Sequence, residues 1–329
     1  MAQKGELLTK KHGDLIYDFL KSGIHDETIF SKTTLFAWPD TRDVCIHVDD
    51  DFLIISYDCK RNKRVIISPL VRRKEDFIKG ICYLENQGVK FIVQVSEWQA
   101  EILKERGYEV ELFESRSEYL YSPEDLITLR GKKFHGKRNF INGFKYNYEY
   151  RPYNGSDEDR QGIIDLFNLN KEDREAKIAE ADIKEKKKEF IDNNSELEIV
   201  AINRILDDYE YFNVKADVLL IDGKIQGFVA GEILPNGIGG IYFQKGNTEY
   251  RGIYAMIDNL YCKAHFDSEE VRYINKQEDL GIKGLRKAKR DYRPVAMANL
   301  YTALAKDGVC CCDCPECEKN KKKKQKKQK

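Results

Sequence analysis

The chain has 329 residues, and its 56 Lys and Arg against 56 Asp and Glu give a formal net charge of zero at pH 7. With 41% hydrophobic and 11% aromatic residues it can bury a sizeable core, which excludes a wholly disordered chain, and the length suits roughly two domains of about 100 to 200 residues each. No apolar run approaches the roughly 18 residues that cross a bilayer, and the opening MAQKGELLTKKHGD lacks the apolar stretch of a signal peptide, so a cytosolic protein without a transmembrane segment is expected.

In chain order, RVIISPL (residues 64–70) is a β-branched run that reads as a strand. The charged, apolar-periodic stretch 74–87 is a helix ending at Gly88, a natural C′ residue. KFIVQV (90–95) is the next strand. Ser96 with Gln99 forms a capping box for a helix through Ile102 and Leu103 that stops at Gly107, and YEVELF (108–113) is again a strand. Strands separated by whole helices need crossover connections, so part of this sheet is expected to be parallel. Ser122, with Pro123 at N1 and Asp125 at N3, opens a further helix. Ser156 with Asp159 caps a helix through Ile163, Ile164 and Phe167, and the highly charged stretch 171–189 follows as a helix or mobile connection. DVLLIDGKIQGFVAGEIL (217–234) sets Asp222-Gly223 between two apolar runs, a strong hairpin signal because both central residues of a type I′ turn need positive φ. A strand at 239–244, an amphipathic helix at 250–266, a strand at 271–275, a helix at 282–291 and a last strand at 294–304 complete the order.

A capped helix and hairpin followed by strand, helix, strand, helix, strand resembles the element order of the GNAT acyltransferase fold, complete in the second half and less complete in the first. Strand-helix alternation alone is shared by many α/β domains; its recurrence across both halves is more specific. The expectation is an α/β (α+β) protein of two tandem GNAT-like domains with mixed, partly parallel central sheets. They would span residues 1–144 and 145–309, joined near Phe144, with a Cys- and Lys-rich disordered tail at 310–329.

Two segments stand out for polar density. In DLITLRGKKFHGKRNFINGF (125–144), Arg130, Lys132, Lys133, His135, Lys137 and Arg138 crowd around Gly131 and Gly136, with Phe134, Phe140 and Phe144 interleaved. The second is INKQEDLGIKGLRKAKRDYRP (274–294). Together they resemble the signatures of the DUF2156 family, which is similar to the C-terminal synthase domain of phosphatidylglycerol lysyltransferase. The matching residues run from Asp125, Leu126, Leu129, Gly131, Lys133, His135, Lys137, Arg138 and Asn139 to Ile141, Asn142 and Phe144. In the second segment they are Asn275, Glu278, Asp279, Leu280, Gly281, Gly284, Leu285, Arg286, Lys289 and Pro294. The resemblance spans about residues 7–305 and implies the tandem fold. It also implies transfer of an aminoacyl group from aminoacyl-tRNA to a hydroxyl or amine acceptor, phosphatidylglycerol or another lipid head group among them. Full-length members carry a membrane-embedded flippase domain that is not in this sequence, so a small-molecule acceptor stands beside the lipid.

In acyl-CoA-dependent GNAT enzymes the turn before the helix after the central strand reads Q/R-x-x-G-x-G/A, and its N–H groups hold the pyrophosphate. Aligned on Gly252, this chain places Glu249 at the basic position and Tyr254 at the small one. A carboxylate repels a pyrophosphate and a tyrosine blocks close approach of the backbone, although Arg251 partly offsets both. An aminoacyl-tRNA donor is therefore preferred, acyl-CoA is the alternative, and no tightly bound cofactor or metal is expected; equally, Arg251 and Gly252 can simply start a helix.

Acyl transfer needs a base or proton relay, donors for the oxyanion and a dry slot. Glu278 or Asp279, just past a strand where open α/β sheets place ligands, is a candidate base or grip for an α-ammonium. Asp279 can equally cap the helix at Ile282. His135, alone of five histidines in a polar cluster, is a candidate proton relay or a structural donor. The candidate substrate-binding residues are Lys133, Lys137, Arg138, Asn139, Arg251, Asn275, Arg286 and Lys289. Arg286, Lys289, Arg290 and Arg293 share one helix face, with Leu285, Ala288 and Tyr292 toward the core. That face can track tRNA phosphates or be solvated; Arg286 and Lys289 are assigned to substrate or to carboxylates of the protein, and Arg290 and Arg293 to the surface. Phe134, Phe140 and Phe144 are expected in the core.

The zero net charge averages unlike parts. Residues 310–329 hold eight lysines and three acids, whereas residues 1–309 carry a formal −5. The tail lysines would attract an anionic membrane surface by about 1 kcal/mol each near it, which makes the protein peripheral to the membrane; a solubilising tail is the simpler reading. Of the nine cysteines five lie in this tail, without the loop and histidine of a usual zinc site. Cys45, Cys59, Cys82 and Cys262 are expected as reduced core residues. Against the transferase stands a non-catalytic tandem module that binds lipid or RNA.

Overall fold

The computed structural model describes residues 5–38, 44–58, 64–180 and 185–306. Cys59 and the 310–329 tail, with the membrane and metal readings attached to it, lie outside the described residues.

The chain opens with β1 (Glu6–Leu7), α1 (Gly13–Leu20), β2 (Val44–Val48), β3 (Phe52–Asp58), β4 (Arg64–Ile66) and β5 (Leu70–Val71). α2 (Phe77–Asn86), β6 (Phe91–Ser96), α3 (Glu97–Glu105) and β7 (Tyr108–Leu112) follow. The local signals behave as read: Gly88 and Gly107 take positive φ after the two helices, and Gln99 accepts from the Ser96 N–H at 3.0 Å. The buried Gln99 also accepts from the Ser68 hydroxyl at 2.7 Å and donates to the Pro69 carbonyl at 3.0 Å, which fixes α3 against the loop after β4.

β8 (Glu118–Tyr121), α4 (Pro123–Thr128), α5 (His135–Asn142) and β9 (Tyr148–Pro152) lead into the long helices α6 (Asp157–Glu180) and α7 (Glu185–Asp207) and the short α8 (Tyr209–Phe212). Then come β10 (Lys215–Ile221), β11 (Lys224–Ile233), β12 (Ile238–Gly246), α9 (Ile253–His265), β13 (Tyr273–Asn275), α10 (Lys283–Arg290), β14 (Ala296–Ala298) and β15 (Leu300–Ala305). Asp222 and Gly223 both take positive φ in the hairpin, and the Ser122 and Ser156 hydroxyls accept from the Asp125 and Asp159 N–H groups.

The seven-stranded sheet runs β14-β8-β13-β12-β11-β10-β9, antiparallel except for the parallel β12–β13 pair. The central strands β10 and β11 send neighbouring residues to opposite faces: Val218, Phe228 and Ala230 enter a core with Ile163, Phe167 and Ile202 of α6 and α7, and Leu219, Ile221 and Val229 enter one with Ile253 and Ile257 of α9. Period-two alternation with both faces apolar is what a sheet between two helical layers requires. The other half has β1-β2-β3-β4 with β5 on β3, and a sheet β6-β15-β7 joined to it by a parallel bridge between Ile67 and Val93.

Two expectations change here. The single last strand at 294–304 is two strands in two sheets: Ala298 pairs with Glu118 and Leu300 with Ser96. In addition, β6 and β7 do not pair, because β15 lies between them, antiparallel to both. The halves thus exchange strands across residue 144, β8 entering the second sheet and β15 the first. Polar contacts tie the same seam: Tyr17 and Thr33 donate to the buried Glu232 at 2.5 and 2.9 Å, and on the surface Arg272 meets Asp26 at 2.8 Å.

Candidate active site

β12 and β13 are paired only from Ile238↔Tyr273 to Gly240↔Asn275. Beyond Asn275 the chain turns away through Gln277, Leu280 and Gly281, all at positive φ, while β12 continues to Gly246. The carboxyl ends of two parallel strands therefore part, the place where open α/β sheets accept ligands.

The turn is held from beneath. Asn275 is fully buried; its amide donates to Glu118 at 2.6 Å and to the Asp26 carbonyl at 3.1 Å, and its oxygen accepts from the Gln277 N–H. Lys289 donates to the carbonyls of Lys276, Gln277 and Glu278, and burial pushes its ammonium down to about 8. Asp279 is fully buried and occupied on both oxygens by Arg286, by the Tyr119 hydroxyl at 2.7 Å and by the Gly281 N–H at 2.8 Å. Burial raises its proton affinity, but Arg286 and these donors together hold it below the ordinary carboxylate range. Asp279, Arg286 and Lys289 form an anchor, and the geometry of Asp279 is not that of a proton acceptor. Lys289 grips carbonyls rather than the carboxylate expected for it. Glu278 faces the other way, with its side chain 22% exposed and 3.0 Å from Arg116.

Above the turn, in the opening, Lys276 meets the buried Asp258 of α9 at 2.5 Å. Gln244 of β12 approaches the same carboxylate oxygen at 3.3 Å, and Tyr292 hydrogen-bonds the group. Lys276 and Lys137 both lie over the Tyr292 ring, at 4.6 and 3.7 Å from its centroid. Burial, and then the charge of Lys276, pull the Lys137 ammonium down. A dry ion pair, a phenol and a second ammonium at parting strands can polarise an ester and move a proton.

α5 carries Lys137 to this place and leaves its neighbours outside. His135 is exposed and meets Asn139 at 3.1 Å; Lys133 pairs with Asp125 at 2.6 Å; Arg138 donates to the carbonyls of Leu129 and Gly131, fixing the left-handed turn at Leu129. Phe134 and Phe144 are buried as expected, whereas Phe140 is 41% exposed, with Arg251 near its ring. α10 also departs from its pattern, since Ala288 is exposed and no residue of the helix is buried. Sequence reasoning passed over Asp258, Lys276, Tyr292 and Gln244. The signal for Asp258 was a carboxylate inside the apolar run IYAMIDNLY.

At the start of α9, Gly252 has φ +97°, and a Cβ there would lie 2.8 Å from the Phe140 carbonyl. The Thr248 hydroxyl donates to Asp173 at 3.1 Å, and the Tyr254 hydroxyl to Asn170 at 3.0 Å. A helix start with a backbone carbonyl against it and the Asp173 carboxylate on the preceding turn is poor for a pyrophosphate.

The family model for phosphatidylglycerol lysyltransferase, C-terminal, matches residues 24–304. A conserved protein of unknown function from Bacteroides thetaiotaomicron has a similar structure, with a TM-score of 0.76 and 27% identity over 93% of this chain and all of that one. The C-terminal domain of a putative lysylphosphatidylglycerol synthetase from Agrobacterium fabrum gives a TM-score of 0.56 at 14% identity, covering 90% and 92% of the two chains. L-PGS from Bacillus licheniformis gives 0.54 at 16%, covering 93% and 94%. These two share the fold, and the tandem GNAT-like architecture with mixed sheets is the one observed. Among the described residues no helix is long and apolar enough to cross a membrane.

Proposed function

Because the chain belongs to the phosphatidylglycerol lysyltransferase C-terminal family, and so to the GNAT-like transferases, we propose that it moves an aminoacyl group from aminoacyl-tRNA to a hydroxyl or amine, with a lipid head group as the favoured acceptor. The observation that carries this is the buried Asp258–Lys276 pair under Tyr292, where β12 and β13 part. In this reading the ester carbonyl lies against Lys276, whose ammonium steadies the oxyanion. Asp258 takes the acceptor's proton, directly or through the Tyr292 hydroxyl, as the acceptor bonds to the acyl carbon, and the same proton passes to the tRNA ribose oxygen as the ester C–O bond breaks. Glu278, turned toward Arg116, is not assigned a part in the transfer step, and Asp279 acts only by fixing the turn. His135 lies at the rim, outside the proton path. Lys133, Arg138, Asn139 and Arg251 shape or line that rim.

Acyl-CoA is the weaker donor on this geometry, since the Phe140 carbonyl lies against the start of α9 and Asp173 against the turn before it. The test uses purified full-length protein, mixed radiolabelled aminoacyl-tRNAs and total lipid. Label should move from tRNA to an acceptor, and Lys276→Met should lower that rate by about a hundredfold or more. Label that stays on tRNA while acetyl-CoA is consumed would overturn the donor assignment; no turnover of either donor would favour a binding module.

A further inference from the structure

Five cations of the two polar segments are at least half-buried: Lys137, Arg138, Lys276, Arg286 and Lys289. Four have acceptors of the protein's own. Arg138 has two carbonyls, Lys276 has Asp258, Arg286 has Asp279 and Lys289 has three carbonyls. Lys137 has the face of Tyr292, and among the described residues no carboxylate or carbonyl is within hydrogen-bond reach of its ammonium. Asp258, and then Asp291, attract it from further off without forming an ion pair.

Withdrawing an ammonium from water beside a second cation is unfavourable, and a ring face offsets only part of it. Asp258 neutralises Lys276, so an uncompensated positive charge remains where the strands part. We propose that Lys137, with Lys276 behind it, is the binding site for a phosphodiester monoanion, held by the Lys137 N–H donors above the Tyr292 ring. A lysine is a point charge that suits phosphate. This inference rests on the transferase reading for its choice of anion, because both proposed partners carry the group: a nucleic-acid 3′ end in its backbone, a lipid in its head group.

Calorimetric titration of the full-length protein with glycerophosphoglycerol and, separately, with the trinucleotide CpCpA tests the site and names the source. At least one probe should bind the wild type. Lys137→Met should weaken that probe roughly tenfold to a hundredfold, and Lys137→Arg should restore most of the loss. Loss confined to glycerophosphoglycerol assigns the lipid; loss confined to CpCpA assigns the nucleic acid. The melting temperature of Lys137→Met should equal or exceed that of the wild type, since no partner is orphaned. The site is overturned if neither probe binds the wild type, if Lys137→Met binds as well as the wild type, or if the variant melts lower. Aminoacyl transfer on the same samples separates the two readings. Binding without transfer retains the site and removes the transferase; transfer unaffected by Lys137→Met does the reverse.

Discussion

Asp279 and Glu27 are both buried carboxylates, and their surroundings drive them in opposite directions. Four donor contacts keep Asp279 ionised, so it stabilises the fold above the ordinary carboxylate range and loses that effect as pH falls through its lowered value. Asp279→Ala should cost about 3 kcal/mol or more in chemical denaturation, because Arg286 loses its buried partner. Glu27 is buried with one oxygen unpartnered by hydrogen bonds, and burial together with the charge of Glu118 pushes it up to about 8. Burial and the charge of Glu278 likewise raise Glu118 to about 7 despite its three donors. The neighbouring His25 is buried and pushed down to about 4, so it is neutral in both states above its ordinary range and acts in the opposite sense below it. Between about pH 6.5 and 8 the native state thus holds protons that the unfolded chain has released, and stability falls as pH rises. Urea titrations across that window should show the fall in the wild type and a flatter line in Glu27→Gln; an equal slope in both would remove this account.

Helix and strand positions were legible wherever a local device specifies them: Asp222-Gly223, Ser96 with Gln99, Ser122 with Pro123, and the glycines after α2 and α3. What remained hidden was partner choice. PVAMANLYTAL has one continuous strand pattern, and nothing in it says that the chain changes sheets at Asn299. The basic stripe of α10 divides much as its residues suggest: Arg286 turns in to a carboxylate, Asp279, while Lys289 turns in to three carbonyls that no local pattern announces. Both polar segments were visible, but the Asp258–Lys276 pair arises only when α9 is laid across β13. That crossing depends on Gly252, where φ is +97° and the Phe140 carbonyl leaves no room for a Cβ. Gly252→Ala should cost about 1 to 3 kcal/mol and loosen α5 from α9, read as faster amide hydrogen exchange over 135–142. Exchange unchanged there would mean that α5 is held from elsewhere.

For the whole molecule, the exchanged strands make each sheet depend on residues far away in sequence. A division at 144 follows the element order, yet residues 1–144 lack β15 and residues 145–309 lack β8. Calorimetry of the intact protein should give one cooperative transition, and either half alone should fail to fold while the two together recover structure. Two separated transitions would show that the exchange couples the halves weakly.

The position of β15 also bears on synthesis. Leu300–Ala305 follows β7 by almost the whole second half, so at about 5 to 20 residues per second roughly 10 to 40 s pass before the strand that joins β6 to β7 emerges. Through that interval the nascent first half has two facing strand edges without their shared partner. Exposed edges of this kind recruit other chains, which makes the growing polypeptide a client for chaperones and makes yield sensitive to translation speed.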